Sequence, residues 1–169
     1  MKYNSYNLGM KKAPLFYNDE SVHIFFKEGT ILDVLFADGS IKRYDVMSAV
    51  DVYPPYIKLK DRKLFLKGKN YFDGIVWNKE IDMATEPIYY EGEDVTKEYQ
   101  DVDYQQYLVG FKLFAKRRAK NMSQKTLSKR TGIDQATISK IEKGTMNPSV
   151  KIIMKIVRAL DAEVELIIK

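Results

Sequence analysis

The sequence predicts an α+β chain in two parts. A small, β-rich α+β domain occupies residues 1–100, and an all-α domain that closes with a β-strand occupies residues 101–169. Three observations predict this division. Short β-branched and aromatic runs bounded by turn residues recur between Val22 and Trp77, which is the signature of strands. Apolar residues at helical spacing recur between Tyr107 and Leu160, in runs opened by capping residues and closed by glycine. The charge divides near the same point. Residues 1–110 carry 14 basic and 18 acidic side chains, net −4, and residues 111–169 carry 14 basic and 5 acidic, net +9.

Composition narrows the classes. Of 169 residues, 45% are hydrophobic and 30% charged, a globular balance rather than a disordered one. There is no cysteine, which removes disulfides, thiolate nucleophiles and cysteine-bound zinc. One histidine, His23, makes a histidine metal site or a catalytic triad improbable, so no metal and no cofactor is expected. No apolar run reaches the roughly eighteen residues of a membrane span. Met1 to Asn7 lacks the apolar stretch of a secretory signal. The expected compartment is the cytoplasm.

The elements of the first domain follow in order. Val22 to Phe26 reads as a strand. Ile31 to Phe36 is a second, and Ile41 to Val46 alternates as a third. Asp38-Gly39 between them is a hairpin signal, because glycine tolerates positive φ. A short helix fits Val46 to Val50. Pro54-Pro55 is expected to interrupt regular structure. Lys63 to Leu66 and Gly74 to Trp77 look like short strands. Glu91 to Asp103 holds six acids and one lysine, and reads as a linker or an exposed helix start, where acids suit the positive end of a helix.

Phe36-Ala37-Asp38-Gly39, Tyr44-Asp45-Val46, Gly74-Ile75-Val76-Trp77 and Ile81 to Tyr90 resemble a small bacterial domain-of-unknown-function family over residues 22–92. The resemblance implies a compact α+β module, found alone or beside a helix-turn-helix, and implies no chemistry. Trp77 and the tyrosines read as core and rim aromatics, with a binding surface as the rival reading. His23 reads as a strand residue.

The second domain opens with a helix from Tyr107 to Lys120, whose Tyr107, Phe111 and Phe114 share a face. Ser123 is placed to cap a helix from Gln124 to Thr131. Gly132 supplies the positive φ that ends it. Asp134 caps the next helix, Gln135 to Lys143, which Gly144 closes. Ser149 caps a last helix from Val150 to Leu160. Two short helices joined by a glycine turn and flanked by others form a helix-turn-helix unit. Leu127, Ile133, Ile138 and Ile141 are expected to build its core, and Ser128 to permit a close helix crossing.

Gln124, Leu127, Ser128, Gly132, Ile133, Ile138, Ser139, Ile141, Glu142 and Gly144 resemble, in type and spacing, the Cro and lambda-repressor type of helix-turn-helix, also called the xenobiotic-response-element type. The resemblance covers residues 110–160. In this fold the second helix of the motif enters the major groove. That would turn Gln135, Ala136, Thr137 and Lys140 toward the bases: Gln135 to adenine N6 and N7, Lys140 to guanine O6 and N7, Ala136 to a thymine methyl. Gln124, at a helix N-terminus, would bind phosphate. Lys125, Ser139, Lys143, Thr145 and Asn147 are further phosphate candidates. The family pattern also implies that Gln124 braces Gln135 and that Arg117 pairs with Glu142 as a structural salt bridge. Lys116 departs from the pattern, at a position often apolar.

Ten Lys or Arg lie between Phe111 and Lys143 against Asp134 and Glu142. From charge alone this is a solvated helical face or a polyanion-binding one. A membrane-surface helix is weaker, since a sustained apolar face is missing. Ala162 to Ile168 alternates and then turns apolar, which predicts a strand in need of a partner. The partner is either the sheet of residues 1–100 or the copy in a second chain, as in antitoxins that carry this motif.

The expected function is a sequence-specific, DNA-binding transcriptional regulator such as a repressor, with double-stranded DNA as partner, no membrane, and homodimer formation. The alternative is an antitoxin or protein-binding adaptor, whose first domain or terminal strand holds a toxin. An enzyme is not expected. The chain has no Gly-rich phosphate loop with Lys-Ser/Thr and no histidine-supported nucleophile. Lys67-Gly68-Lys69-Asn70 is only a basic turn, and Asp82 and Glu86 are spaced as solvated acids.

Overall fold

The computed structural model describes residues 18–71, 73–100 and 104–164. Strands β1 (Ser21–Phe26), β2 (Ile31–Phe36) and β3 (Ile41–Asp45) form an antiparallel meander. Ile24 lies opposite Val34, and Leu35 opposite Ile41. The Asp38-Gly39 turn joins β2 to β3. Gly39 has φ +91°, and the Asp38 carboxylate accepts from the Ser40 amide at 2.8 Å.

Three segments differ from expectation. Pro54-Pro55 does not interrupt structure but opens a 3-10 helix, Pro54–Lys60, because the first positions of a helix need no intrahelical N–H donor. Lys63 to Leu66 is not a strand; Arg62–Phe65 forms a single turn, α1. Asp61 caps it, accepting from the Lys63 amide at 2.9 Å, and a four-residue apolar run carries too little periodicity to separate helix from strand. The acidic stretch is not a linker. After strand β4 (Lys69–Asn70), β5 (Gly74–Val76), β6 (Asp82–Ala84) and helix α2 (Glu86–Glu91), Glu93–Asp94 forms β7, which pairs with β3. The large sheet therefore runs β1-β2-β3-β7, and a smaller one runs β4-β5-β6.

An ion-pair network holds β7 and the following 3-10 turn, Thr96–Tyr99, to the sheet. Arg43 donates from Nε and Nη2 to the two oxygens of fully buried Asp33, each at 2.8 Å, and from Nη2 to Glu98 at 2.7 Å. The Tyr99 hydroxyl donates to Asp33 at 2.8 Å. Facing two acids, the Arg43 guanidinium is shifted above its ordinary value.

The large sheet is covered on both faces. One face, with Ile24, Leu32, Val34 and Phe36, shares a core with Leu59, Phe65, Ile75, Trp77, Ile81 and Ile88. Trp77 is a core residue here, donating from its indole N–H to the Phe65 carbonyl at 2.8 Å. The other face contributes Leu35 and Ile41, which pack with Val95, Tyr99 and Leu108. Leu108 belongs to α3 (Gln105–Ala119), so the first turns of this helix lie against the sheet and its later turns enter the helical domain.

That domain continues with α4 (Gln124–Thr131), α5 (Gln135–Glu142) and α6 (Val150–Ala159). Leu113, Met122, Leu127, Ile138, Ile141, Ile156, Val157 and Leu160 form its core, with Ile133 packed at the margin. Helices too short to persist alone gain their stability from this shared burial. Residues 162–164 carry no regular structure. The rest of the expected terminal strand, 165–168, lies outside the described residues. Among the described residues no helix is long and apolar enough to cross a membrane.

Candidate nucleic-acid interface

The site is built from local chemistry. The Ser123 hydroxyl accepts from the Thr126 amide at 3.0 Å and starts α4. Gly132, at φ +66°, ends it, in the left-handed conformation that glycine adopts without a Cβ penalty. Asp134 then starts α5, accepting from the Thr137 amide at 2.9 Å and from the Thr137 hydroxyl at 2.5 Å. These two bonds hold the Asp134 carboxyl below its ordinary pKa range. Ser149 caps α6 through the Ile152 amide.

On a helix of 3.6 residues per turn, Gln135, Ala136, Ser139 and Lys140 share one side of α5, and Ile138 and Ile141 the opposite side. Ile138 and Ile141 are buried. Gln135, Ala136 and Lys140 are exposed, and Thr137 and Ser139 are half-buried. The Thr137 hydroxyl proton is already engaged by Asp134, which leaves its methyl group and lone pairs for any outside contact. Lys125, Lys143, Thr145 and Asn147 are exposed. Thr145 folds back, its amide and hydroxyl both donating to the Lys140 carbonyl, at 3.0 and 3.2 Å. Among the described residues, Lys125, Lys140 and Lys143 enter no ion pair, whereas Lys120 is taken by Asp161 at 2.9 Å.

Behind this face lies a buried polar cluster. Arg117 donates from Nε and Nη2 to the two Glu142 oxygens at 2.6 and 2.8 Å, and from Nη1 to the Met122 carbonyl at 2.6 Å. Its guanidinium lies over the Phe114 ring at 5.5 Å. The Gln124 side-chain amide donates to Glu142 at 2.8 Å, so Gln124 joins this cluster rather than bracing Gln135. The start of α4, the end of α5 and the last turn of α3 are thereby tied through one carboxylate.

Two glycines set the distance between α3 and α5: Gly144, expected only to close α5, and Gly110, which sequence reasoning passed over. A Cβ on Gly110 would strike the Ile141 carbonyl, and one on Gly144 would lie 2.7 Å from the Tyr107 Cα. A glycine isolated inside a helical run is a packing signal, and Gly110 could have been found by it. Tyr107 also stacks on His23 of β1, ring centroids 3.8 Å apart at 18°. No signal along the chain connects those two residues. Among the described residues no group of three or more metal-ligating side chains gathers.

The part of the chain that holds these helices is similar to known proteins. A family model described as helix-turn-helix matches residues 113–167. An uncharacterized HTH-type transcriptional regulator of Sinorhizobium fredii is 48% identical over 54 residues, 32% of this chain and 28% of that protein. Another from Archaeoglobus fulgidus is 49% identical over 49 residues, 28% of this chain and 69% of that protein. Among solved structures, the restriction-modification controller protein C.AhdI of Aeromonas hydrophila is 38% identical over 32% of this chain and 83% of its own, with a TM-score of 0.32. The chain thus spans only 28% of the length of the Sinorhizobium protein.

Proposed function

The chain belongs to the helix-turn-helix family of transcriptional regulators, and from that premise we propose that it binds double-stranded DNA at particular sequences and regulates transcription by occupying them, with no chemistry of its own. One observation carries the reading. Gln135, Ala136 and Lys140 stand exposed on one side of a capped helix whose other side is fixed in a core. Laid in a major groove, such a helix presents an amide for adenine, a methyl for thymine and an ammonium for guanine. Lys125, Lys143 and Asn147 at its flanks suit phosphates.

The test is binding to duplex DNA across a range of salt. Affinity should fall steeply and linearly in log salt, since each neutralised phosphate releases counterions. A selected site should outcompete random duplex.

The proposal extends to a homodimer. Two copies related by a two-fold axis would present their α5 helices to half-sites about 34 Å apart on a pseudo-palindrome. Sedimentation of the full chain and symmetry of the selected site test it together. A second reading, an antitoxin or adaptor that also holds a partner protein, is favoured by the exposed apolar side chains Val52, Ile57 and Leu66 on the first domain. A toxic reading frame adjacent to the gene would favour that role, and a solitary gene would count against it.

A further inference from the structure

We infer that Tyr107 is a positioning residue for DNA recognition, clamped between His23 of the N-terminal sheet and Gly144 at the end of α5, so that the first domain sets the pose of the turn that follows the reading helix. The inference rests on the proposed DNA binding and adds a role for residues 1–100 to it.

The observations form a continuous chain of contact. On one side the Tyr107 ring stacks on His23 at 3.8 Å, and Phe25 meets it edge-on at 6.3 Å. Phe25 in turn packs on Tyr99 at 5.0 Å. On the other side Gly144 lies so close to the Tyr107 backbone and ring that no Cβ fits between them. One residue along, Leu108 is buried with Leu35, Ile41, Val95 and Tyr99, and its Cδ1 would lie 3.8 Å from a Cβ on Gly39. The first turns of α3 are therefore seated in the sheet domain while their outer surface forms the wall against which α5 ends.

The residues held by that wall are those placed for DNA. Gly144 lies between Lys143 and Thr145. The amides of Lys143, Gly144 and Thr145 donate to the carbonyls of Ser139, Ile141 and Lys140 at 3.0–3.1 Å. With φ at +66°, Gly144 has a conformation that few other residues share. If Tyr107 is displaced, the turn loses the aromatic ring packed against Gly144, and Lys143 and Thr145 lose a fixed position relative to Lys140. A chain of packed side chains is a physical means by which one domain can act on another.

The experiment uses the full chain and three variants, His23→Ala, Tyr107→Ala and Tyr107→Phe. Two readouts are taken: hydrogen exchange at the Lys143, Gly144 and Thr145 amides without DNA, and affinity for the selected duplex. His23→Ala lies far from the helix-turn-helix in sequence, and it is the decisive variant if Tyr107→Ala fails to fold. The expected result is faster exchange at those three amides in His23→Ala, with α4 amides unchanged. Duplex binding should weaken about tenfold, the usual scale of coupling between sites. Tyr107→Phe should behave as the unmodified chain, because it keeps the stack. Unchanged exchange and unchanged affinity in His23→Ala would overturn the inference. If the unmodified chain binds no duplex at all, the proposed function fails instead, and the exchange result still decides whether the sheet supports the turn.

Discussion

Arg117 and Glu142 form a two-point ion pair, with side chains only 6% and 4% exposed, that joins α3, the first helix of the helix-turn-helix domain, to the end of α5. Every nitrogen of that guanidinium is engaged: two on the carboxylate and one on the Met122 carbonyl. Glu142 also receives Gln124. This satisfies the requirement that buried charge be both paired and hydrogen-bonded.

Removing one partner should cost far more than removing both. Arg117→Met strands a buried carboxylate and should lower stability by about 3–5 kcal/mol, whereas replacing both residues by apolar ones of similar size is often close to neutral. Chemical denaturation of Arg117→Met and of Arg117→Met with Glu142→Leu compares them. A double variant as unstable as the single one would show that the pair is not the stabilising unit.

Gly110→Ala sets two effects against each other. Alanine gains about 0.8–1.0 kcal/mol of helix propensity over glycine. Its Cβ would strike the Ile141 carbonyl, a backbone atom that cannot swing aside, and overpacking of that kind costs about 1–3 kcal/mol. The clash should win, giving a lower melting temperature. A rise would mean that α3 can shift away from α5 freely.

His23 should make stability depend on pH. Burial lowers its pKa from 6.5 to about 4. The folded form thus prefers the neutral ring more strongly than the unfolded form does. Its contribution is present above pH 6.5 and is lost as pH falls toward 4, the direction linkage requires when the unfolded chain binds more protons. The loss should be of order 2 kcal/mol, after discounting for the ring's partial exposure. His23→Phe keeps an aromatic stack and removes the titration, so its stability should vary less between pH 6.5 and 4. Asp94, lowered to about 2 chiefly by Thr96 and helped by Lys42, loses its contribution at more acid pH and does not obscure that window. Equal slopes for both proteins would contradict the assignment.

Lys140 and Lys143 should separate by kind. Lys140→Ala should relax preference at one base pair and cost about 1–3 kcal/mol there. Lys143→Ala should weaken binding to every sequence alike and reduce the salt slope by about one unit. Titrations against the selected site and single-base variants, at several salt concentrations, distinguish the two patterns.

The helical domain was legible because its signals are local. Ser123, Gly132 and Asp134 act on backbone groups within four residues, so α4 came out of the sequence with both ends in place, and α5 stops one residue earlier than the end that Gly144 suggests. The meander β1–β3 was legible for the same reason, through period-two runs and one Asp-Gly turn. What escaped was non-local. Asp33 finds Tyr99 across 66 positions, and that contact turns an acidic stretch that reads as a linker into part of the sheet domain. Arg62–Phe65 escaped because one helical turn shows no period. The double seating of α3, with Leu108 in one core and Leu113 in another, leaves no mark in a hydrophobic pattern, which records burial and not the partner. In the candidate site, composition and capping place Gln135, Ala136 and Lys140 on an open face. The engagement of the Thr137 hydroxyl by Asp134 and of Gln124 by Glu142 depends on rotamers the sequence does not state.

The most direct measurement is selection of bound sequences from a random duplex pool by the full chain, repeated with Lys140→Ala. Base reading by α5 predicts a defined site for the unmodified protein and the loss of preference at a single base pair in the variant. Equal retention of every duplex by the unmodified protein, or an identical site in both, would contradict it.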